Sequence, residues 1–163
     1  MVSPSDVASP PAFDARGALS RADMLCQARG VRLTELRRRV LEILWRSPTP
    51  LGAYTILEVL RDEGRPGAPP TVYRTLDFLL EQGLIHRLPS LNGFVGCRQP
   101  DRQHGGQFLI CRECGRVDEL NSPAMERLLR AEAAACGFTV ATQAVEASGQ
   151  CSACRREGAE HDG

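Results

Sequence analysis

The chain has 163 residues, of which 42% are hydrophobic and 25% are charged. This size and composition predict a soluble globular protein with one domain or two small ones. No apolar run approaches the roughly 18 residues that cross a bilayer, and no secretory signal is visible, so we expect no membrane association and a cytoplasmic location.

The charge is balanced overall but unevenly distributed. The 20 basic residues, all of them arginine, match 20 acidic ones. Residues 21–98 hold 12 arginines against 8 acidic residues, whereas residues 99–163 hold 7 against 10. A net charge of zero argues against a nucleic-acid binder, but the basic first half keeps the charge that such a function needs. Genomic codon bias is the simpler explanation of the missing lysines.

The first half of the chain predicts helices and then a hairpin. A flexible tail rich in Pro, Ser and Ala is expected over residues 1–20. Helical periodicity and capping residues predict helices over 21–29, 34–46, 51–63 and 71–82. The turn Asn92-Gly93 predicts a hairpin that pairs 84–88 with 94–97. This order is typical of a winged helix-turn-helix, although small helical domains that do not bind DNA share it.

The second half predicts a small mixed sheet with one helix. A polar linker covers residues 98–106, and a charged tail covers 155–163. Between them the pattern predicts strand, strand, helix and strand, over Gln107–Cys111, Arg116–Leu120, Pro123–Cys136 and Phe138–Glu146. A unit this small buries little apolar surface, so we expect it to need a metal ion or a partner chain.

Four of the seven cysteines form two Cys-x-x-Cys pairs, Cys111 with Cys114 and Cys151 with Cys154. In a reducing compartment such pairs indicate a metal site, and four thiolates suit a closed, structural tetrahedral zinc site. A thiol redox pair is the alternative. Neither pair lies at a recognisable helix start after a strand, which disfavours that alternative.

Other potential metal ligands surround the linker: His86, Cys97, His104 and Glu119. Each of them alone is an ordinary surface or core residue. Together they make a plausible zinc set of mixed softness, with one thiol, two imidazoles and a carboxylate.

Two motifs carry a family resemblance. The run APPTVYRTLDFLL over 68–80 resembles the recognition helix of the ferric uptake regulator family, and FLICRECG over 108–115 resembles its zinc knuckle. The resemblance covers residues 21–154 and favours the zinc uptake branch, whose sensory site has the spacing of His86, Cys97, His104 and Glu119. The iron branch typically has a histidine-rich run before the first Cys-x-x-Cys pair, and this chain has only His104 there.

The resemblance implies an α+β fold and a function. It implies a DNA-binding domain over 21–97, a hinge over 98–106 and a small α/β dimerisation domain over 107–154, with tails at 1–20 and 155–163. The implied protein is a zinc-responsive repressor that binds operator DNA as a homodimer, with one structural and one regulatory zinc ion per chain. Metal bound by residues of both halves would fix the spacing of the two recognition helices.

The predicted DNA contacts lie on the third and fourth helices. Arg74 is predicted to contact a base, because arginine to guanine is the commonest specific pairing. Tyr73 suits a backbone or thymine-methyl contact, and the resemblance adds Tyr54 and Thr71. Partly buried packing is the alternative for both tyrosines. The run Arg37–Arg39 touches phosphate or forms a solvated helix face.

Three other functions are alternatives to a zinc-responsive repressor. An iron, manganese or peroxide sensor of the same family is the first alternative. A zinc deaminase is excluded because His104 is followed by Gly-Gly, and no proline precedes either Cys-x-x-Cys pair, so we expect no enzyme and no small-molecule substrate. A zinc-stabilised interaction module that does not bind DNA is the third.

Overall fold

The computed structural model describes residues 15–65, 68–101 and 105–161. Its first half contains four helices and a hairpin: α1 (Ala15–Ala28), α2 (Glu35–Arg46), α3 (Ala53–Asp62), α4 (Pro69–Glu81), β1 (Ile85–Leu88) and β2 (Gly93–Gly96). Its second half contains β3 (Gly106–Cys111), β4 (Val117–Glu119), α5 (Pro123–Ala135), β5 (Ala144–Gly149) and α6 (Ser152–His161). None of the described helices has the length and apolar character that crossing a bilayer requires.

Helices α2 and α4 begin and end close to where their capping residues predict. The Thr34 side chain caps α2 by accepting a hydrogen bond from the Arg37 N–H. Two prolines open α4, and Gly83 follows it in the left-handed conformation at φ 64°. Helices α1 to α4 share one core, whose fully buried side chains include Leu41, Ile56, Leu60, Leu76 and Leu79.

The hairpin forms the wing of the winged helix. Strand β1 pairs antiparallel with β2, from Ile85 opposite Gly96 to Leu88 opposite Gly93. Asn92 makes the turn at φ 44°. Leu51, two residues before the start of α3, pairs with Phe94 through two backbone hydrogen bonds. These bonds join the wing to the connection between α2 and α3.

The second half is built on a three-stranded mixed sheet in the order β4-β3-β5. Central strand β3 is antiparallel to β4 and parallel to β5. Phe108, Ile110 and Cys111 of β3 are buried. In contrast, no side chain of α5 is buried in the single chain. The expectation that this half buries little apolar surface by itself is therefore met.

Two segments predicted as parts of flexible tails are helical. Helix α1 begins at Ala15 rather than Arg21, because Ala18 and Ala22 face the helical core and are buried. Helix α6 occupies most of the predicted tail over 155–163. Its first turn is the second Cys-x-x-Cys motif, in which the Arg155 N–H donates to the Cys151 carbonyl at 3.0 Å.

The last strand lies later than predicted. The sequence pattern placed it at Phe138–Glu146, whereas β5 spans Ala144–Gly149. Gly137 ends α5 at φ 73°, and the Phe138 N–H donates back to the Ala133 carbonyl at 2.8 Å. Because β5 runs parallel to β3, the chain must return to the start of β3 before pairing, and residues 138–143 make that return.

Candidate metal centres and nucleic-acid interface

The two Cys-x-x-Cys motifs meet at the end of the mixed sheet. Cys111 closes β3, and Cys114 lies in the turn before β4, where Gly115 takes φ 71°. Cys151 follows β5, and Cys154 lies one turn later in α6. Because β3 and β5 are parallel neighbours, their carboxyl ends bring both motifs to one edge of the sheet.

The sulfur positions fit one tetrahedral ion. The Sγ atoms of Cys111 and Cys154 are 3.9 Å apart, as are those of Cys114 and Cys151. All four lie within 4.8 Å of one another. A tetrahedral zinc ion at about 2.3 Å from each sulfur would separate the sulfurs by about 3.8 Å. This donor set therefore matches zinc in chemistry and in spacing.

Backbone N–H groups favour thiolate at two of these cysteines. Hydrogen bonds from the backbone N–H groups of Cys114 and Cys151 lower the pKa of Cys111 to about 6. A backbone N–H bond from Cys154 lowers the pKa of Cys151. The pKa of Cys154 is raised instead, first by its side-chain bond with Cys151. Several thiolates together need a cation, because like charges at this distance repel.

The prediction that neither Cys-x-x-Cys pair lies at a helix start after a strand is wrong for the second pair. Cys151-x-x-Cys154 does lie at a helix start after a strand. The redox alternative is now weakened by a different observation. The short sulfur contacts join one motif to the other, which is the arrangement of a four-ligand site and not of two separate dithiols.

A second cluster joins the two halves of the chain. His86 lies on β1, Cys97 follows β2, and Glu119 ends β4. The His86 Nε2 atom is 2.9 Å from Glu119 Oε1, and the Cys97 Sγ atom is 3.9 Å from the same oxygen. The three ligand atoms lie within 4.8 Å of one another. His104, the fourth predicted member, lies outside the described residues.

The surroundings of this cluster hold its members in place. The Arg98 N–H donates to Glu119 Oε2 at 3.0 Å, and the Phe108 ring packs edge-on against His86 with ring centroids 5.2 Å apart. Burial raises the pKa of the Cys97 thiol, and the nearby Glu119 carboxylate raises it further. A divalent cation would replace that thiol proton and offset both negative groups.

The predicted DNA contacts lie on the solvent face of the winged helix. Thr71, Tyr73 and Arg74 are exposed on α4, opposite its buried residues Val72 and Leu76. Tyr54 at the start of α3 is 67% exposed and Tyr73 is 45% exposed, so neither ring belongs to the buried core. The Arg74 side chain makes no hydrogen bond or ion pair to any other side chain within the described ranges.

The arginine run on α2 is not a freely solvated helix face, because each of its side chains contacts another part of the DNA-binding half, and its phosphate contact stays a prediction. Arg39 binds Glu42 and Glu63, and these carboxylates raise its pKa. Arg38 pairs with Asp23 at 3.2 Å, and the Arg37 guanidinium stacks 3.4 Å above the Phe78 ring. These side chains hold α2 against α1, α3 and α4, so the run is part of the scaffold.

The fold and the two clusters define a class of protein. It is a winged-helix protein with one cluster of metal-ligand side chains between its two halves and a second cluster within its second half. The model of the ferric uptake regulator family matches residues 28–148. The chain belongs to the ferric uptake regulator family.

Individual relatives give a more detailed comparison. The zinc uptake regulation protein of Escherichia coli (strain K12) is 39% identical over 137 residues, which cover 83% of this chain and 80% of that protein. The structure of a zinc uptake regulator complexed with zinc and DNA is similar with a TM-score of 0.85 at 37% identity, covering 91% of this chain and 99% of that one.

Two crystal structures of XcZur differ in their likeness to this chain, although the identity is 38% for both. The holo form gives a TM-score of 0.80 and covers 86% of this chain and 98% of its own. The apo form gives 0.51 and covers 88% and 99%. The arrangement of this chain therefore resembles that of the holo form.

Proposed function

We propose that the protein is a zinc-responsive transcriptional repressor that binds operator DNA as a zinc-loaded homodimer and controls zinc uptake genes. The observation that carries the proposal is the cluster of His86, Cys97 and Glu119, whose members come from both halves of the chain. The relatives described above support it, since they are zinc uptake regulators and the structure of one of them is a complex with zinc and DNA.

We assign the two clusters different roles. Cys111, Cys114, Cys151 and Cys154 form a closed four-sulfur site, which suits a structural zinc ion. His86, Cys97 and Glu119, with His104 as the fourth ligand, form the regulatory site. A bound zinc ion supplies a fixed four-coordinate geometry to these ligands.

The ligands of the regulatory site connect the domains that we propose. His86 and Cys97 belong to the DNA-binding domain at 21–97, and Glu119 belongs to the dimerisation domain at 107–154, with residues 98–106 as the hinge. The observed helices extend these domains to Ala15 and His161. When ligands from both domains meet at one point, they restrict the angle between the domains.

That angle determines DNA affinity in a dimer. Two α4 helices contact half-sites on one face of DNA only when their separation matches the helical repeat. Holding the domains in the competent orientation therefore favours DNA binding, and a coupling of about 1–3 kcal/mol is typical for such linkage. The greater likeness to holo than to apo XcZur, at equal identity, supports a metal-dependent orientation.

The dimer surface that we propose is the apolar face of α5. Met125, Leu128 and Leu129 of this helix are exposed in the single chain, and so is Phe138, which follows it. A contiguous exposed apolar face of this kind marks an interface. A second copy of the chain would cover it.

Replacing Leu128 with aspartate should weaken the dimer. A charge buried in an apolar interface has no partner, so we expect the dimer dissociation constant to rise by at least about tenfold. Sedimentation velocity of the zinc-loaded protein measures this. Leu91→Asp is the control, because Leu91 is similarly exposed but lies on the wing. Equal effects of the two substitutions would contradict the proposed surface.

Replacing Arg74 with alanine should weaken binding to operator DNA. If Arg74 contacts a guanine, affinity falls by about 1–3 kcal/mol and discrimination at that base pair is relaxed. Fluorescence anisotropy with operator and point-mutated operator measures both effects. Arg156→Ala removes an exposed arginine from the second half and should change neither. A uniform loss on every sequence would instead indicate a phosphate contact.

Zinc and chelator provide the test of the function as a whole. We expect zinc bound at both clusters, and operator binding that is lost when a chelator empties the regulatory site. Binding that is indifferent to zinc would refute the proposal. The alternative sensor of iron, manganese or peroxide has less support, because the soft thiolate of Cys97 suits zinc better than ferrous or manganous ions. Titrating these metals at the regulatory site distinguishes the two.

A further inference from the structure

The single tryptophan of the chain lies beside the regulatory cluster. Trp45 is in the last turn of α2, and its indole N–H donates to the Cys97 carbonyl at 2.9 Å. Residues 45 and 97 are 52 positions apart in sequence. The contact therefore joins a helix of the DNA-binding half to the backbone of a metal-ligand residue.

The chain leaves room for the indole ring at one glycine. A Cβ atom on Gly96 would lie 2.1 Å from Trp45 Cδ1 and 2.6 Å from its Nε1. No side chain fits there unless the ring moves. Gly96 and Trp45 thus form a matched pair, in which the missing side chain allows the ring to reach the next residue.

The hydrogen bond from Trp45 enters a peptide unit that also binds the opposite half of the chain. The carbonyl of Cys97 and the N–H of Arg98 belong to the same peptide group. That N–H donates to Glu119 Oε2 at 3.0 Å. When a carbonyl accepts a hydrogen bond, the peptide is polarised and its N–H becomes a stronger donor. Trp45 therefore acts on the Cys97 backbone directly and on the Glu119 carboxylate through one peptide group.

The backbone N–H of Cys97 is also bonded to the DNA-binding half. The Cys97 N–H donates to the Leu84 carbonyl at 2.9 Å. Both backbone groups of this residue are thus bonded, one to the segment after α4 and one to α2. These two bonds fix the backbone of Cys97 and therefore the direction of its Cα–Cβ bond relative to Glu119 and His86.

We infer that Trp45 is a positioning residue of the regulatory metal site, holding the Cys97–Arg98 peptide so that Cys97 and Glu119 present their ligand atoms to one ion. The inference rests on the proposed regulatory site. Groups that orient metal ligands commonly account for about 10–100-fold in metal affinity. Because Trp45 is built on α2, it also makes the position of that helix dependent on the occupied site.

The first test replaces Trp45 with phenylalanine, which keeps an aromatic ring but removes the donor. We expect zinc affinity at the regulatory site to fall by about 10–100-fold, measured by competition with a chromophoric chelator. The structural zinc should remain bound, and the thermal midpoint of unfolding should fall only slightly. Selective weakening of one site distinguishes positioning from general destabilisation.

A steric variant tests the same contact from the other side. Gly96→Ala keeps the indole but displaces it, so we expect a similar selective loss of zinc affinity. Leu91→Ala, an exposed change on the wing turn, is the matched control and should keep wild-type affinity. If Trp45→Phe and Gly96→Ala both retain wild-type affinity, the inference is overturned while the regulatory site itself stands.

Tryptophan emission gives a second, independent readout. In the wild-type protein already holding its structural zinc, we expect the emission to change as zinc is added and to saturate at one equivalent. Cys97→Ser should abolish this change. Emission that ignores zinc, although the regulatory site fills, would contradict the inference. If the wild-type protein takes up no zinc beyond the structural ion, the proposed function and the inference both fail.

Discussion

Replacing Cys111 with serine should deprive the protein of its structural zinc and unfold the second half of the chain. Cys111 is the buried member of the four-sulfur cluster and ends the central strand β3. Structural zinc contributes about 10–16 kcal/mol of apparent binding free energy in zinc-finger peptides, and in such small units binding free energy is folding free energy. Losing one of the four thiolates removes a large part of this binding free energy.

The second half has little else to hold it together. Phe108 and Ile110 are its buried large apolar residues within the described ranges, and α5 buries no side chain in the single chain. Without the cluster, the turn before β4 and the start of α6 lose the ion that joins them. We therefore expect zinc analysis to show loss of the structural ion, circular dichroism to show loss of helix and strand, and sedimentation to show monomers or aggregates.

A matched control separates zinc loss from the mere loss of a thiol. Cys136 is an exposed free cysteine that follows α5 and lies outside both clusters. Cys136→Ser should keep the zinc content, the fold and the dimer. The prediction is wrong if Cys111→Ser retains the zinc content and the dimer of the wild-type protein.

The winged helix was predictable because its signals are local. Thr34, the two prolines before Thr71 and Gly83 act within one or two turns of the positions that they mark, and helical periodicity extends over each element. The second half was less predictable. Its last strand carries Ala, Ser and Gly, which are weak strand formers, so the stronger pattern at Phe138 drew the prediction six residues too early.

The ligand sets were predictable from residue type and family resemblance, and their geometry was not. Cys-x-x-Cys spacing is a local signal, and the structure brings all four sulfurs together. His86, Cys97 and Glu119 have no common local pattern, and they meet only in the folded chain, where Glu119 at the end of β4 contacts His86 and Cys97. The role of Trp45 had no local signal either, since its partner is 52 residues away. Such contacts depend on the tertiary fold.

Replacing Cys97 with serine should leave a folded dimer that no longer responds to zinc. Cys97 takes no part in the four-sulfur cluster, so the structural ion and the sheet should persist. The regulatory site loses its one soft ligand, and a neutral hydroxyl is a poor substitute for thiolate. We expect zinc analysis to show that the structural ion remains and the regulatory ion is absent.

The DNA affinity of Cys97→Ser tests the coupling between the sites. In the wild-type protein zinc should tighten operator binding by about 5–150-fold, the range that corresponds to 1–3 kcal/mol of coupling. The variant should bind operator with the weak affinity of the chelated wild-type protein, with or without zinc. Linkage requires reciprocity, so operator DNA should tighten regulatory zinc binding in the wild-type protein by the same factor. If the variant still bound operator more tightly with zinc than without it, the zinc-responsive site would lie elsewhere in the molecule. If zinc tightened operator binding in the wild-type protein but operator DNA did not tighten regulatory zinc binding, the added zinc would act on the DNA and not through the contact between the domains.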